Sequence, residues 1–306
     1  MLRIASIGEC MVELVQAGPG LLRQGYGGDT LNTAVYLRRA LPAEVGSVAY
    51  VTALGDDAFS DEMVSGWAAE RLDCSHVARL EDRLPGLYVI KTDEAGERSF
   101  LYWRNTAAAR DVFAGAAGEA RLAALAEFDL VYLSGITLAI LPAPDRQKLL
   151  ATLAERRKAG ASIAFDPNYR PRLWPDADDA RAVMTEAART ASIILPSFAD
   201  EQALFGDASP AATLDRLHAE GADEVIVKNG DDPVHFRMNG ERFTTLPLKV
   251  SDAIDTTGAG DSFNGAYLAS RFQGHAIARA VDAATRLAAT VVRHQGAIIP
   301  KDATLF

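Results

Sequence analysis

The chain has little cysteine, no excess of positive charge and no long apolar run, and each scarcity excludes a class of protein. Cys10 and Cys74 are the only cysteines among 306 residues. Their spacing fits neither a metal site nor a disulfide framework, which favours a reducing compartment. No apolar run approaches the roughly 20 residues that span a bilayer. The first residues, MLRIASIG, predict a strand rather than a signal peptide. We therefore expect a cytoplasmic protein without a membrane partner.

Charge and apolar content narrow the class further. The net charge is −10, which argues against nucleic acid or an anionic membrane surface as a partner. Hydrophobic residues make up 49 % and charged residues 24 % of the chain, as in an ordinary globular protein. A chain of this length suits one large α/β domain with a minor lid. Local arginines and backbone amides would have to meet any anionic ligand.

In residues 255–268, DTTGAGDSFNGAYL, a polar glycine-rich stretch turns into an apolar pattern at helical spacing. That change predicts a tight loop leading directly into a helix N-terminus. Such a terminus has unpaired backbone N–H groups and a partial positive charge. Because Gly258 and Gly260 would let an anion come close to the backbone, the segment predicts a phosphate cradle.

Asp261 does not fit a pure anion site, because a carboxylate repels phosphate. It could cap the helix, or it could serve as the general base for attack of a substrate hydroxyl on a phosphoryl group. The segment is not a Walker P-loop. Gly260 and Gly265 have the right spacing, but Ala266 and Tyr267 stand where that motif needs lysine and serine or threonine.

Residues 255–268 resemble the C-terminal signature of the PfkB/ribokinase family of sugar kinases, which is long and specific. In that family the second aspartate is the catalytic base and the amides of the GAGD stretch form an anion hole. The resemblance implies that Asp261 is the base and that Gly258, Ala259, Gly260 and Asp261 form the anion hole. It also implies a ribokinase-like fold and the use of ATP with Mg²⁺.

Residues 27–33, GGDTLNT, precede a helical pattern. Read alone, two glycines before a helix favour a simple turn. The GGDxxN spacing resembles the N-terminal signature of the same family, where the glycine backbone and the next polar residue contact the sugar. The resemblance makes Gly27, Gly28, Asp29 and Asn32 candidates for the sugar site.

The order of predicted elements indicates an α/β fold. From residue 129 onward, short β-rich runs alternate with helical patterns. This alternation implies a mainly parallel sheet with helices on both faces, and ligands that bind beyond the carboxyl ends of its strands. The predicted strands are residues 130–133, 162–166, 192–195 and 224–228, and the first two are followed by predicted helices at 144–159 and 177–189.

A hairpin interrupts the α/β order. The β-rich runs at residues 87–92 and 99–103 flank the turn DEAGE. The resemblance implies that this hairpin belongs to a small β lid over the sugar, built from roughly residues 10–27 and 84–105. Residues 1–306 would then form a single ribokinase-like kinase domain that includes this lid.

Two segments supply arginines where positive charge would be useful. Tyr102 and Arg104 share one face of a strand, although an isolated edge arginine would simply be solvated. The stretch at residues 165–174, FDPNYRPRLW, places Arg170 directly after a strand end, between prolines that stiffen the chain. A guanidinium held there could pair with a carboxylate or phosphate, or it could hold acidic neighbours on the surface.

Within the family, the pairing of YxR with DxNYRxxLW resembles the subgroup that phosphorylates 2-keto-3-deoxygluconate. The carboxylate of that sugar acid calls for added positive charge, which these arginines would supply. The resemblance implies that Tyr88, Tyr102, Arg104 and Arg170 line the substrate site together with Asp261. It also implies that Asn168 and Arg170 face the transferred phosphate.

The nucleotide side carries a second partial match. Residues 228–233, KNGDDP, resemble the KxGxxG stretch that lies beside ATP in the family, which makes Lys228 and Gly230 ATP-site candidates together with Gly258 and Gly260. Pro233 stands where the last glycine is expected, so the contact made by that glycine is in doubt.

The metal signals are weaker. The family motif NxxE, which helps to organise Mg²⁺, is altered, since Phe198 stands where asparagine is expected. Glu201 remains and would act on Mg²⁺ at a distance, with the ion held mainly by ATP phosphates and water. Asp255 and Thr257 could shape a loop for a monovalent cation such as K⁺, as in ribokinase.

We therefore expect direct, in-line transfer of the ATP γ-phosphoryl group to the 6-hydroxyl of 2-keto-3-deoxygluconate, with Asp261 as base. The alternatives are a kinase of the same fold for fructose, a ketohexonate epimer or a deoxy-inositol derivative, and a non-catalytic sugar-acid sensor. The intact GAGD stretch argues against the sensor, because a binding protein needs no base. An exposed lid hairpin could also provide a homodimer contact.

Overall fold

Two β-sheets, one of nine strands and one of four, organise the chain. The structure is a computed structural model that describes residues 1–18, 20–92, 98–238 and 240–304. In chain order its strands are β1 (Leu2–Ile7), β2 (Met11–Gly18), β3 (Leu21–Gly27), β4 (Gly46–Leu54), β5 (Val77–Arg79), β6 (Gly86–Thr92), β7 (Arg98–Trp103), β8 (Leu130–Ser134), β9 (Ser162–Asp166), β10 (Ile193–Ile194), β11 (Glu224–Val227), β12 (Val234–Met238) and β13 (Glu241–Thr245).

The large sheet has the order β13-β12-β11-β10-β9-β8-β1-β4-β5. Its strands from β11 to β5 pair in parallel, and β12 and β13 extend one edge as an antiparallel hairpin. Strand β1 lies between β8 and β4 inside the sheet. Its residues Ile4, Ala5 and Ile7 are therefore fully buried, as expected of a strand covered on both faces. The parallel arrangement brings the carboxyl ends of β9 and β11 to the same edge of the sheet.

Helices cover both faces of this sheet, and each face has its own apolar cluster. Those on one face are α1 (Asp29–Ala40), α2 (Ala58–Ala69), α9 (Ala259–Phe272) and α10 (Ile277–Val291). Those on the other are α3 (Gly115–Ala124), α4 (Gly135–Ile140), α5 (Ala143–Lys158), α6 (Ala177–Thr190), α7 (Phe198–Phe205) and α8 (Pro210–Ala219). The prediction of a mainly parallel sheet with helices on both faces is thereby confirmed.

The small sheet has the order β3-β2-β6-β7 and is built from two excursions of the chain. The first leaves after β1 and returns at α1, and the second leaves after β5. Strands β2 and β6 pair in parallel, while β2–β3 and β6–β7 are antiparallel hairpins. The predicted second sheet is therefore present, although the turn predicted at residues 93–97 lies outside the described residues. The role of this sheet as a lid stays a prediction.

Among residues 1–18, 20–92, 98–238 and 240–304, no helix combines the length and the apolar character that crossing a bilayer would require.

Helices α1 and α9 come very close together, which matters because they carry Asp29, Asn32 and Asp261. At Gly265 a Cβ atom would stand 2.8 Å from the backbone nitrogen of Leu37 and the carbonyl oxygen of Thr33. Those neighbours are backbone atoms, so they cannot give way as a flexible side chain would. The absence of a side chain at Gly265 therefore fixes the spacing between the two helices.

We expect Gly265→Ala to lower the free energy of unfolding by about 1–3 kcal/mol, the usual cost of overpacking. Denaturant unfolding would measure it. Gly66→Ala is a matched control, because Gly66 is an exposed residue of α2 with no atom within 4 Å of the added Cβ. That control should be neutral or stabilising, since alanine favours a helix more than glycine does. Equal effects of the two substitutions would contradict the packing argument.

Candidate active site

The turn before α9 gives that helix an open N-terminus. Gly258 has a φ of 77°, a conformation that glycine adopts easily, and its Cβ would lie only 2.6 Å from the carbonyl oxygen of Ala297. The carboxylate of Asp255 holds the same turn by accepting the N–H groups of Thr257 at 2.9 Å and Gly296 at 3.0 Å. The first amides of α9 are therefore held in one orientation.

The predicted anion hole is altered at one position. The N–H of Ala259 donates to the carbonyl oxygen of Thr256 at 3.2 Å, so this amide is already engaged in the turn. In the part of the chain that the structure describes, no backbone acceptor is found for the N–H groups of Gly260 and Asp261. These amides can bind an anion as helix N-termini do. For Gly258, Ala259, Gly260 and Asp261 the anion hole stays a prediction.

Asp261 lies in the first turn of α9 and is joined to α1. Its Oδ2 accepts a hydrogen bond from Nδ2 of Asn32 at 2.8 Å. Burial, followed by the nearby carboxylate of Asp29, raises the pKa of Asp261 to about 7, while the Asn32 hydrogen bond opposes that rise. A carboxyl group whose pKa lies near neutrality is suited to accept a proton during catalysis.

Asn168 links the end of β9 to α1. Its Nδ2 donates to Oδ2 of Asp29 at 2.8 Å, and its backbone N–H donates to Oδ1 of Asp166 at 3.1 Å. Asn168 has a φ of 37°, in the left-handed region that asparagine tolerates better than most residues. The predicted sugar-side residues Asp29 and Asn32 and the predicted phosphate-side residue Asn168 thus meet around Asp261.

Beneath α9 lies a buried polar cluster that was only partly predicted. The Nζ atom of Lys228 donates to Oδ2 of Asp166 and to Oδ1 of Asn264, at 3.0 Å in each case. The amide nitrogen of Asn264 donates to Oδ2 of Asp166 at 2.6 Å and to the hydroxyl of Tyr132 at 3.2 Å. The side-chain amide of Asn264 can point only one way, because the reverse would set its NH₂ group against the ammonium.

Arg104 is buried in an ion pair with Glu9. Its Nη2 atom bonds Glu9, and the two side chains are 8 % and 1 % exposed. Within the described ranges, Nε of Arg104 and Oε1 of Glu9 find no hydrogen-bond partner. Burial raises the pKa of Glu9, although Arg104 opposes that rise. The predicted free cation is thus already largely neutralised by a residue that the sequence analysis did not single out.

The two predicted tyrosines lie beside this pair. The ring centroids of Tyr88 and Tyr102 are 5.9 Å apart, and the guanidinium of Arg104 is 5.9 Å from the Tyr102 ring. The hydroxyl of Tyr88 donates to Glu13, and this carboxylate raises the pKa of Tyr88 further than burial alone does. Side chains alternate between the two faces along β7, which ends at Trp103. The alternation continues to Arg104, so Tyr102 and Arg104 share one face.

Arg170 is an exposed member of the predicted set. Its side chain is 51 % exposed, and Nη1 lies 3.5 Å from Oδ2 of Asp200 and donates to the carbonyl oxygen of Tyr169 at 2.8 Å. Such a loosely held guanidinium can turn toward an incoming anion at little cost.

Gly27 and Gly28 lie close to neighbouring atoms. Gly27 ends β3, and its Cβ would stand 2.5 Å from the Tyr88 hydroxyl. Gly28 precedes α1, and its Cβ would stand 2.0 Å from the carbonyl oxygen of Glu9. Neither position has room for a side chain.

Glu201 is committed to a structural ion pair. Its carboxylate bonds Nη2 of Arg216 at 2.5 Å, and the same guanidinium holds Asp207 at 2.7 Å. Burial raises the pKa of Glu201 to about 7 although Arg216 opposes the rise. These contacts link α7 to α8. The indirect role of Glu201 toward Mg²⁺ stays a prediction.

The residues fit the phosphates of ATP better than they fit a bare metal. Amides at the start of α9, the ammonium of Lys228 and the guanidinium of Arg170 are anion-binding groups. Across the described ranges, no group of three or more His, Cys, Asp or Glu side chains could hold a metal ion. That Mg²⁺ is held mainly by phosphate oxygens and water, as is usual for this ion, stays a prediction.

Gly260 gives the cradle a direct test. Its Cβ would stand 3.6 Å from Nζ of Lys228, so a side chain there would point at the ammonium beneath the predicted anion hole. We expect Gly260→Val to raise the KM for ATP by about tenfold or more, the value of one or two lost hydrogen bonds, and to leave sugar affinity unchanged. Titrating each ligand separately measures this. Gly260→Ala is the milder control, and a selective loss of sugar affinity would contradict the cradle.

Gly230 stands apart from this group. It lies in the turn after β11 with a φ of 58°, and in the described part of the chain no contact joins it to α9. Its predicted place beside ATP stays a prediction, as does a monovalent-cation role for Asp255 and Thr257.

Four residues that the structure brings into the site have no role predicted from the sequence. They are Glu9, Glu13, Asp166 and Asn264. Asp166 could have been found, because it closes a predicted strand at the carboxyl edge of a parallel sheet. Asn264 could have been found too, since it lies one helical turn after Asp261.

The chain is similar to known proteins in sequence and in fold. The sequence profile described as pfkB family carbohydrate kinase matches residues 1–304. The chain is 44 % identical, over 304 residues and 98 % of both chains, to a curated 2-dehydro-3-deoxygluconokinase of Escherichia coli. A PfkB protein of Polaromonas sp. JS666 superimposes with a TM-score of 0.83 at 25 % identity, over 96 % of each chain. A putative ribokinase II of E. coli, in complex with ATP and Mg²⁺, gives 0.82 at 23 % identity over 97 % of this chain and 94 % of that chain.

Proposed function

This chain belongs to the pfkB family of carbohydrate kinases, and from that premise we propose that its sugar is 2-dehydro-3-deoxygluconate, also called 2-keto-3-deoxygluconate. The product would be the 6-phosphate, with ATP as the donor. The observation that carries the substrate is the identity of 41–44 % along 98 % of the chain to curated 2-dehydro-3-deoxygluconokinases. Glu9, Arg104 and the two tyrosines beside them support a polar, charged sugar site.

In the proposed reaction, Asp261 accepts the proton of the 6-hydroxyl as that oxygen attacks the γ-phosphorus. The position of Asp261 in the first turn of α9 supports this role, and so does its pKa of about 7. Asn32 would orient the carboxylate by its hydrogen bond. The amides at the start of α9, with Lys228 and Arg170, would stabilise the charge that develops on the phosphoryl oxygens. Mg²⁺, when bound to ATP, supplies further neutralisation of phosphate charge.

The test is a coupled ADP-release assay with a panel of sugars and sugar acids. The panel contains 2-dehydro-3-deoxygluconate, its C4 epimer, fructose and a deoxy-inositol derivative. We expect the highest kcat/KM with the first of these, and Asp261→Asn serves as the inactive control. A preference for fructose would overturn the substrate but leave the kinase family intact. Sugar-acid binding without ADP release from any member would favour a sensor.

The pH dependence follows from the pKa of Asp261. The carboxylate form accepts the proton, so the active form of the free enzyme is lost as pH falls through about 7. We expect kcat/KM to fall by about tenfold per pH unit well below that value and to level off above it. Initial rates across pH 5.5–9, chosen as about two units on each side of the pKa, would measure this. A flat profile from about 6 to 8 would contradict Asp261 as base.

A further inference from the structure

The Asp166–Lys228–Asn264 cluster joins three elements at the place where the phosphoryl group would be transferred. Asp166 ends β9, Lys228 follows β11, and Asn264 lies one turn after Asp261 in α9. The three side chains belong to residues that are 4 %, 8 % and 0 % exposed. Each of them bonds both of the others, so the cluster forms a closed triangle of hydrogen bonds.

The charges in this cluster are poorly explained by stability alone. A buried ion pair gives up the hydration of two ions, and an apolar cluster of similar volume often stabilises a fold equally well. Lys228 uses two of its three N–H donors within the triangle, among the residues described. Its ammonium also lies 3.6 Å from the place where a Cβ of Gly260 would stand. Both charges are thus held directly behind the turn that carries Asp261.

We propose that Asp166, Lys228 and Asn264 form one positioning unit, which fixes α9 against the strand ends and sets the charge environment in which Asp261 accepts a proton. The proposal rests on the proposed function in that Asp261 is taken as the base. It goes further by giving Asp166 and Asn264 a part in the reaction, and by giving Lys228 one beyond a contact with ATP.

The groups that face Asp261 decide the sign of each effect. The carboxylate of Asp29 on α1 and that of Asp166 on β9 disfavour its ionised form, whereas the ammonium of Lys228 favours that form. Tyr36 and Tyr132 also face it and stay neutral, because burial raises the pKa of both. Removing the Asp166 charge should therefore lower the pKa of Asp261, and removing the Lys228 charge should raise it.

The experiment follows the Asp261 carboxyl carbon by NMR in the full-length protein labelled with ¹³C-aspartate, with the resonance assigned by its loss in Asp261→Asn. We expect the titration midpoint to move down by about 1 pH unit in Asp166→Asn and up by about 1 pH unit in Lys228→Met, the usual effect of one nearby charge. Lys228→Arg keeps the charge and should leave the midpoint in place.

Asn264→Ala separates the effect of a changed charge from the effect of a less firmly held α9, because it removes hydrogen bonds without changing any charge. We expect this variant to move the midpoint less than either charge variant, and to lower kcat by about 10-fold or more with KM for the sugar little changed. Shifts of the same sign in Asp166→Asn and Lys228→Met, or shifts no larger than in Asn264→Ala, would overturn the proposal. If Lys228→Met fails to fold, the direction of the midpoint shift in Asp166→Asn is enough to decide the sign of the charge effect on Asp261.

The titration needs no turnover, so it separates this proposal from the proposed function. If the wild type phosphorylates no sugar on the panel, the proposed function fails, while the NMR midpoints still decide whether the cluster sets the charge at Asp261. If the wild type is active, the acid limb of kcat/KM should move in the same direction as the midpoint in each variant. A limb that stays fixed while the midpoint moves would also overturn the proposal.

Discussion

Replacing Asp261 by asparagine is expected to lower kcat by about 10²–10⁴-fold and to leave the affinity for ATP nearly unchanged. Asparagine keeps the size of the side chain and can still bond Asn32, but it cannot accept a proton from the sugar hydroxyl. The backbone amides at the start of α9 are unaltered by this change, so the nucleotide should still bind. Steady-state kinetics and an ATP titration of the same preparation would measure both quantities. A kcat close to that of the wild type would remove Asp261 from the mechanism.

The thermal stability of Asp261→Asn is an internal control for its loss of activity. The pKa of Asp261 is raised in the folded protein to about 7, above the ordinary value for aspartate, so the folded state binds its proton more tightly than the unfolded state does. The ionised carboxylate therefore lowers the free energy of unfolding as pH rises from about 4 to 7. Asp261→Asn removes that cost, and its Tm should equal or exceed that of the wild type at pH 8. An inactive variant with a lower Tm would instead indicate a damaged fold.

Arg104→Ala is expected to lower kcat/KM on 2-dehydro-3-deoxygluconate by roughly 10- to 100-fold and to change any slow activity on fructose little. A charge-assisted hydrogen bond to the substrate carboxylate is worth about 1.5–3 kcal/mol. Fructose has no carboxylate, so it makes no such bond and loses nothing when Arg104 is removed. The measurement is the ratio of the two kcat/KM values in wild type and variant. An equal fall on both sugars would make Arg104 a structural residue.

The ion pair with Glu9 affects the interpretation of Arg104→Ala, and a substitution of Glu9 provides the control. Removing Arg104 leaves the buried Glu9 carboxylate without its ion-pair partner, and breaking a buried pair costs about 3–5 kcal/mol of stability. The double variant Glu9→Gln with Arg104→Ala removes both charges and should recover much of the lost stability. If Arg104 binds the substrate carboxylate, the double variant will fold well and still discriminate against the sugar acid. Recovery of sugar-acid activity together with stability would show that only the fold had suffered.

The fold was largely predictable because its signals are local. Strand and helix periods alternate from residue 129 onward, and the signature at residues 255–268 identified a family whose architecture is fixed. The hairpin of β12 and β13 was missed, although an Asn-Gly pair separates two β-rich runs there, which is a strong hairpin signal.

The partners of the charged residues could not be predicted in the same way. Arg104 and Glu9 are 95 residues apart, and Asn32 and Asp261 are 229 apart. Pairings of that kind depend on how the sheets bring distant segments together, which no local period encodes. Sequence alone therefore treated Arg104 as a free cation and Glu201 as a residue near the metal. In the structure Arg104 pairs with the buried Glu9, and Glu201 pairs with the partly buried Arg216.

The chain leaves the large sheet in two excursions that build the small sheet. This has a consequence for how such an enzyme could diversify. Glu13, Tyr88 and Tyr102 lie on the two excursions, and Glu9 and Arg104 lie directly beside them. Asp261, Lys228 and the turn at Gly258 lie on the scaffold instead. Under the proposed function, replacing these two short inserts, by recombination or in the laboratory, would alter which sugar is accepted and leave the groups proposed for phosphoryl transfer intact.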